Sequence, residues 1–224
     1  MRKPTADYRL IAFDVDGTLV GSGRGQVVWE ILNQHFCPGV DDKGARGQAH
    51  AERHITYAEW VGLDVLDWIL AGATRPELER VIRQRLSPTP GAAHVLGRLR
   101  DRGFRLAVIS GTLDLTLELL FPGHPFEVVH TNRLLFDEAG RVRDWCATPY
   151  DNAGKAQALR QIARRMQVPL AQTVFVGDHV NDLAAMRAAG LAIAFEPKHP
   201  SVSAAAHAEV HGDLGGVLRL LGVD

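Results

Sequence analysis

The sequence predicts an α/β fold, a doubly wound, Rossmann-like parallel sheet carrying an inserted helical cap. Three observations carry that expectation. Short continuous apolar runs, Leu10 to Phe13, Leu106 to Ile109, Val174 to Val176 and Leu191 to Phe195, have the length of strands buried on both faces, and the first three lead into polar, glycine-containing loops. Helical patterns lie between them, as in Lys155 to Met166 and Asp182 to Ala189, so strand and helix alternate. From about Gly21 to Pro88 the alternation stops and apolar residues recur at helical spacing: Val27, Val28, Ile31, Leu32, Phe36, then Trp60, Val61, Leu63, Leu66, Ile69, Leu70, then Leu78, Val81, Ile82, Leu86.

The expected division is therefore a core from residues 1–20 and 89–224, with a helical cap insert over 21–88. Gly21, Gly23 and Gly25 at the entrance, and Ser87 to Gly91 at the exit, supply hinge chemistry. Leu134 to Phe136, the turn Asp137 to Gly140, and Val142 to Trp145 read as a β-hairpin.

At 224 residues and 46% hydrophobic content the chain can bury one substantial core plus an insert. Its 25 basic and 26 acidic side chains leave a net charge of -1, so no global field favours nucleic acid or an anionic membrane. Any anion has to be bound locally. Cys37 and Cys146 form neither a CxxC pair nor a disulfide framework, which fits reduced thiols in a cytoplasmic protein. The apolar run near the N-terminus is a few residues long before Asp14 interrupts it, so neither a signal peptide nor a membrane span is expected. The histidines are scattered without zinc-ligand spacing, and His179 reads as a neighbour of Asp178 rather than a ligand.

In an open parallel sheet, ligands bind beyond the carboxyl ends of the strands, where loop amides and helix N-termini face outward. Asp14 and Asp16 stand there in FDVDGTLV, and two such carboxylates repel unless a cation or a shared proton relieves them. A hard dication such as Mg2+ suits oxygen ligands of this kind. A lone DxD also fits a solvated acidic turn. Ser110 and Gly111 in VISGT bring a hydroxyl and amides to a second strand end, although a simple helix cap uses the same residues. Lys155 opens a predicted helix, where a cation meets the positive end of the dipole unless an anion is near, or else lies on the surface. Asp178, Asn181 and Asp182 in VGDHVND supply carboxylates and an amide at a third strand end.

In this order the segments FDVDGTLV, VISGT, TNRL, NAGK and VGDHVND resemble the haloacid dehalogenase superfamily of phosphohydrolases, and within it the phosphoserine phosphatase group. The likeness covers about residues 8 to 20 and 89 to 215 and is weak in the insert. It implies that Asp14 is the nucleophile, forming an aspartyl-phosphate, while Asp16 protonates the leaving alcohol and later activates water. It further implies magnesium held by the Asp14 side chain, the Asp16 carbonyl and Asp178, with Asp182 behind them, and a phosphoryl group gripped by Ser110, Gly111, Lys155 and Asn181. A dehalogenase typically lacks the second Asp, and P-type ATPases carry Lys where this chain has Val15. The expected activity is hydrolysis of a small phosphomonoester. A phosphotransferase using the same intermediate and an idle binding protein of the same fold are the alternatives.

The likeness departs where substrate is chosen. Phosphoserine phosphatases carry an acidic residue shortly after the first motif for the substrate ammonium and a cap arginine for its carboxylate. Here residues 21–29 contain no carboxylate, the first being Glu30, and Tyr57 to Asp64 contain no arginine, although Arg53 is near and Arg24 lies at the hinge. Phosphoserine is accordingly expected to be a poor substrate, with Arg24 a candidate partner for a second anionic group.

Overall fold

Alternation along the strands decides which face each side chain serves. In β1 (Leu10–Phe13), Ile11 and Phe13 join one apolar layer while Leu10 and Ala12 join the other. The structure, a computed structural model, describes residues 7–39 and 42–223. After β1 the chain forms β2 (Val20–Gly21), then α1 (Val28–Phe36), α2 (Asp42–Ala51), α3 (Tyr57–Leu70) and α4 (Arg75–Arg85), and returns through β3 (Ser87–Pro88). There follow α5 (Ala92–Asp101), β4 (Arg105–Leu113), α6 (Asp114–Leu120), β5 (Val128–Phe136), β6 (Val142–Cys146) and α7 (Ala153–Arg165). The last elements are β7 (Thr173–Gly177), α8 (Leu183–Ala188), β8 (Leu191–Phe195), α9 (Pro200–Ala205), β9 (Ala208–Val210) and α10 (Gly216–Leu221).

Seven strands form one sheet in the order β6-β5-β4-β1-β7-β8-β9, parallel except where the β5–β6 hairpin turns back. β1 is central, with Ala12 opposite both Ala107 and Phe175. The doubly wound core with an inserted helical cap is thus present. The Asp14 amide donates to the Val176 carbonyl at 2.9 Å, which carries the pairing one residue past β1 and fixes where that side chain leaves the sheet.

The helical insert hangs from a small antiparallel ribbon in which Val20 pairs with Pro88 and Gly21 with Ser87. Its apolar faces continue the core layer of Ile11, Phe13 and Val176 through Ile31, Leu32, Trp68, Leu78 and Ile82. Trp68 is fully buried, stacks on Trp29 at 5.1 Å, and donates to Asn33 at 2.7 Å. α3 begins at a capping box in which Thr56 and Glu59 satisfy each other's backbone amides. At its far end the insert docks on the β5–β6 hairpin, where the Arg75 amide donates to Gly140 and the Val142 amide to Ala73.

Three features differ from the sequence expectation. β4 runs on to Leu113 with a shift of register after Ile109, so Ser110 and Gly111 lie in an irregular strand end rather than a loop. α2 was not anticipated because DKGARGQAHA has no apolar stripe, and β9 because a three-residue edge strand gives too short a pattern to read. Cys37 and Cys146 are not joined by a disulfide. Among the described residues, no helix is long and apolar enough to cross a membrane.

Candidate active site

Asp14, Ser110, Lys155 and Asp178 meet at the carboxyl end of the sheet, each brought by a different strand end or helix start. Lys155, the third residue of α7, is completely buried, with Nζ 2.6 Å from Asp14 Oδ1 and 2.7 Å from Asp182 Oδ1. The second Asp182 oxygen accepts the amides of Asp178 at 3.0 Å and His179 at 3.1 Å. Asp182 is therefore committed to holding the lysine and the 178–182 turn. Thr18 donates to Asp178 Oδ1 at 3.3 Å. Gly17 has φ +88, and any Cβ there would strike the Asp178 carboxylate, so glycine is required on both counts.

Asp16 follows one turn further along. Its Oδ1 is enclosed without a hydrogen-bond partner among the described residues. Ser110 is buried and its Oγ accepts the Thr112 amide at 3.2 Å. Asn181 donates to Asp151 at 3.3 Å. Asp151 lines the same cavity and was not singled out from the sequence; its place four residues before Lys155, at the entry to α7, was the available signal.

Four carboxylates and one ammonium share this floor, and burial governs their protonation. Burial raises the Asp14 pKa to about 7 against the pull of Lys155, and raises Asp178 to about 8, with the charges of Asp14 and Asp182 adding to the rise. Asp16 is pushed up to about 6 by burial, moderated by the nearby Thr112 hydroxyl and Val28 amide. For Lys155, burial favours the neutral form, but the adjoining Asp14 and Asp182 charges outweigh it and hold the ammonium protonated. One buried cation leaves the carboxylates undercompensated. Asp14, Asp178 and Asp182 each offer an oxygen within 4.8 Å of the others, a hard, all-oxygen donor set that fits magnesium. Since Asp182 already has its oxygens engaged, Asp14 and Asp178 are the side chains in that set best placed as ligands.

Above the floor opens a cavity of about 1250 Å3, lined from the cap by Trp29, Glu30, Asn33, Tyr57, Trp60 and Asp64. Trp60 thus faces the cavity while Trp68 belongs to the core. Glu30, on the first turn of α1, brings in the carboxylate that residues 21–29 lack. Arg24 does not line this cavity; it borders an adjoining depression with Gln84 and Arg85, which shares Ser22 and Gln26 with the cavity. Arg53 is exposed and also lies outside the lining. Arg46 is tied to Asp64 and Asp67 at 2.6 Å each.

Residues 11–187 match the model of the haloacid dehalogenase-like hydrolases. The chain belongs to that family. It is 38% identical over 226 residues to phosphoserine phosphatase SerB2 of Mycobacterium tuberculosis, covering 96% of this chain and 51% of that protein. With a phosphoserine phosphatase of Streptomyces coelicolor the identity is 33%, over 96% of this chain and 50% of the relative. The chain thus spans about half the length of these two relatives. A substrate-bound phosphoserine phosphatase structure superposes with a TM-score of 0.74 at 26% identity, over 95% of this chain and 97% of the other. A phospho-aspartyl intermediate analogue of phosphoserine phosphatase gives 0.71 at 27% identity, over 95% and 98%.

Proposed function

We propose that this family member is a magnesium-dependent phosphomonoesterase acting on a small phosphorylated metabolite through an aspartyl-phosphate on Asp14. The observation that carries the reading is the buried Lys155 bridge between Asp14 and Asp182, with Asp16 and Ser110 on the same floor. An ammonium at the nucleophile's own oxygen is placed to share the charge of a phosphoryl group arriving there.

Asp14 attacks phosphorus and the ester P–O bond breaks. Asp16, its carboxyl raised toward neutrality by burial, gives its proton to the departing alkoxide. The Asp16 carboxylate then takes a proton from water, whose oxygen attacks phosphorus and releases phosphate, restoring Asp14. Ser110 and Lys155 hold the phosphoryl oxygens, and Asn181 orients phosphate or water from beside Asp151. Magnesium, when bound by Asp14 and Asp178, supplies the positive charge that lets carboxylate and phosphate approach.

Residues 21–88 form the cap over this site in the same reading, and 1–20 with 89–224 the core. The expectation that phosphoserine is poor rested on two absences: Glu30 in the cavity answers the missing carboxylate, whereas no arginine is among the described residues that line it. Phosphoserine enters the substrate panel on the names of the relatives, as the compound that tests the second absence. The test is hydrolysis of p-nitrophenyl phosphate and that panel, with chelator and with restored magnesium, by wild type and Asp14→Asn. Magnesium-dependent turnover that the variant lacks supports the proposal; turnover unaffected by chelator, or kept by folded Asp14→Asn, overturns it.

A further inference from the structure

The TNRL segment has no part in the chemistry above, yet its asparagine is buried beside the floor. Asn132 Oδ1 accepts the Thr148 amide at 2.8 Å, which settles the orientation of its side-chain amide. Nδ2 then donates to the Gly111 carbonyl at 2.6 Å and to the Tyr57 hydroxyl at 2.7 Å. The same carbonyl receives two donors from the cap, the Trp29 indole N–H at 2.7 Å and the Tyr57 hydroxyl at 3.3 Å. Donors from α1, α3 and β5 thus converge on one oxygen.

That oxygen shares a rigid peptide plane with the Thr112 N–H. On the opposite edge of the plane the N–H donates to Ser110 Oγ at 3.2 Å. Accepting hydrogen bonds at the carbonyl polarises the unit and strengthens its N–H as a donor. A hydroxyl oxygen that accepts from Thr112 has its own proton directed elsewhere, so the plane constrains where Ser110 can donate.

We propose that Trp29 and Tyr57 are positioning residues: docking of the cap, relayed through the Gly111–Thr112 peptide plane, sets the Ser110 hydroxyl for the transferring phosphoryl group. This rests on the assignment of Ser110 made under the proposed function. It also gives Asn132 a role, as the core-side clamp that keeps the plane aligned while the cap docks.

A double-mutant cycle tests it, using Trp29→Phe and Tyr57→Phe, each alone and combined with Ser110→Ala. The readouts are kcat/KM for p-nitrophenyl phosphate and, independently of turnover, affinity for inorganic phosphate in the presence of magnesium. Each cap variant is expected to lower both about tenfold when Ser110 is present, the worth of one well-placed hydrogen bond. In the Ser110→Ala background the same changes should cost less than about twofold, because the group they position is gone. Equal losses in both backgrounds overturn the relay and leave Trp29 and Tyr57 as cavity walls. Tyr57→Phe removes a single oxygen, so it decides the matter even if Trp29→Phe folds poorly. Asp14→Asn runs alongside: if it retains turnover the proposed function fails, whereas an inactive Asp14→Asn with additive cap variants leaves that function standing and removes only the relay.

Discussion

The floor of the site and the helical cap above it are built on different physics. On the floor, the positions are fixed by charge: Lys155, Asp14 and Asp182 are each buried and each bonded to another member of the group. In the cap, packing does the placing: Trp29 lines the cavity with one side of its environment filled by the Trp68 stack, itself locked by Asn33. A change on the floor therefore leaves an uncompensated charge, while a change in the cap leaves a void or a lost contact. The first should be severe for turnover, the second graded and dependent on substrate.

Lys155→Met should show the largest combined effect. Removing one partner from a buried ionic cluster costs about 3–5 kcal/mol, and turnover should fall by about a thousandfold or more, since the phosphoryl group loses the ammonium that sits at Asp14. Chemical denaturation and kcat on the same sample check both. A stable, active Lys155→Met would show that the floor is not organised around this charge.

Asp16→Asn comes next and sharpens the assignment of roles. Its loss should be severe for alkyl phosphates and smaller for aryl phosphates, whose leaving groups need little protonation. A plot of log kcat/KM, which reports formation of the aspartyl-phosphate, against leaving-group pKa should steepen relative to wild type; an unchanged slope would take the acid role from Asp16.

How legible this was in the sequence differs between the two regions. Asp14, Asp16, Ser110, Asp178 and Asp182 could be picked out because they follow apolar runs within a few positions, and Lys155 because it opens a helical pattern, while their roles came from the resemblance of the motifs. That they would share one floor was an inference from topology, and the parallel order β4-β1-β7 brings them there. Asp151 escaped because it lies in a polar stretch with no periodic signal. In the cap, residues 57 to 70 read as helical, but whether Trp60 or Trp68 faced the cavity depends on helix rotation, which tertiary packing decides. Arg24 lies beside the β2–β3 ribbon from which the insert hangs, yet it lines the adjoining depression and not the cavity itself.

A smaller effect separates the regions by pH. Asp14 and Asp178 have folded pKa values of about 7 and about 8 against an ordinary 3.8. Groups that hold protons more tightly when folded lose stability as pH rises from the unfolded value through the folded one. The metal-free protein should thus lose thermal stability between about pH 4 and about pH 8, and magnesium should restore most of it at the upper end. Melting curves in chelator and in magnesium check this; a midpoint that climbs with pH in chelator would contradict the description of the floor. Arg24→Ala, off the cavity, should change kcat/KM by less than about twofold for any substrate on the panel, and a larger change would return that residue to the site.

The central claim is that Asp14 becomes phosphorylated. Acid quenching of the enzyme during turnover with magnesium and substrate, followed by borohydride reduction, converts an aspartyl-phosphate to homoserine, and peptide mapping locates it. With an aryl phosphate, whose leaving group needs little protonation, the account predicts homoserine at position 14, more of it in Asp16→Asn, where hydrolysis of the intermediate slows, and none in Asp14→Asn. Reduction at another residue, or none at position 14 in Asp16→Asn while substrate is consumed, would contradict it.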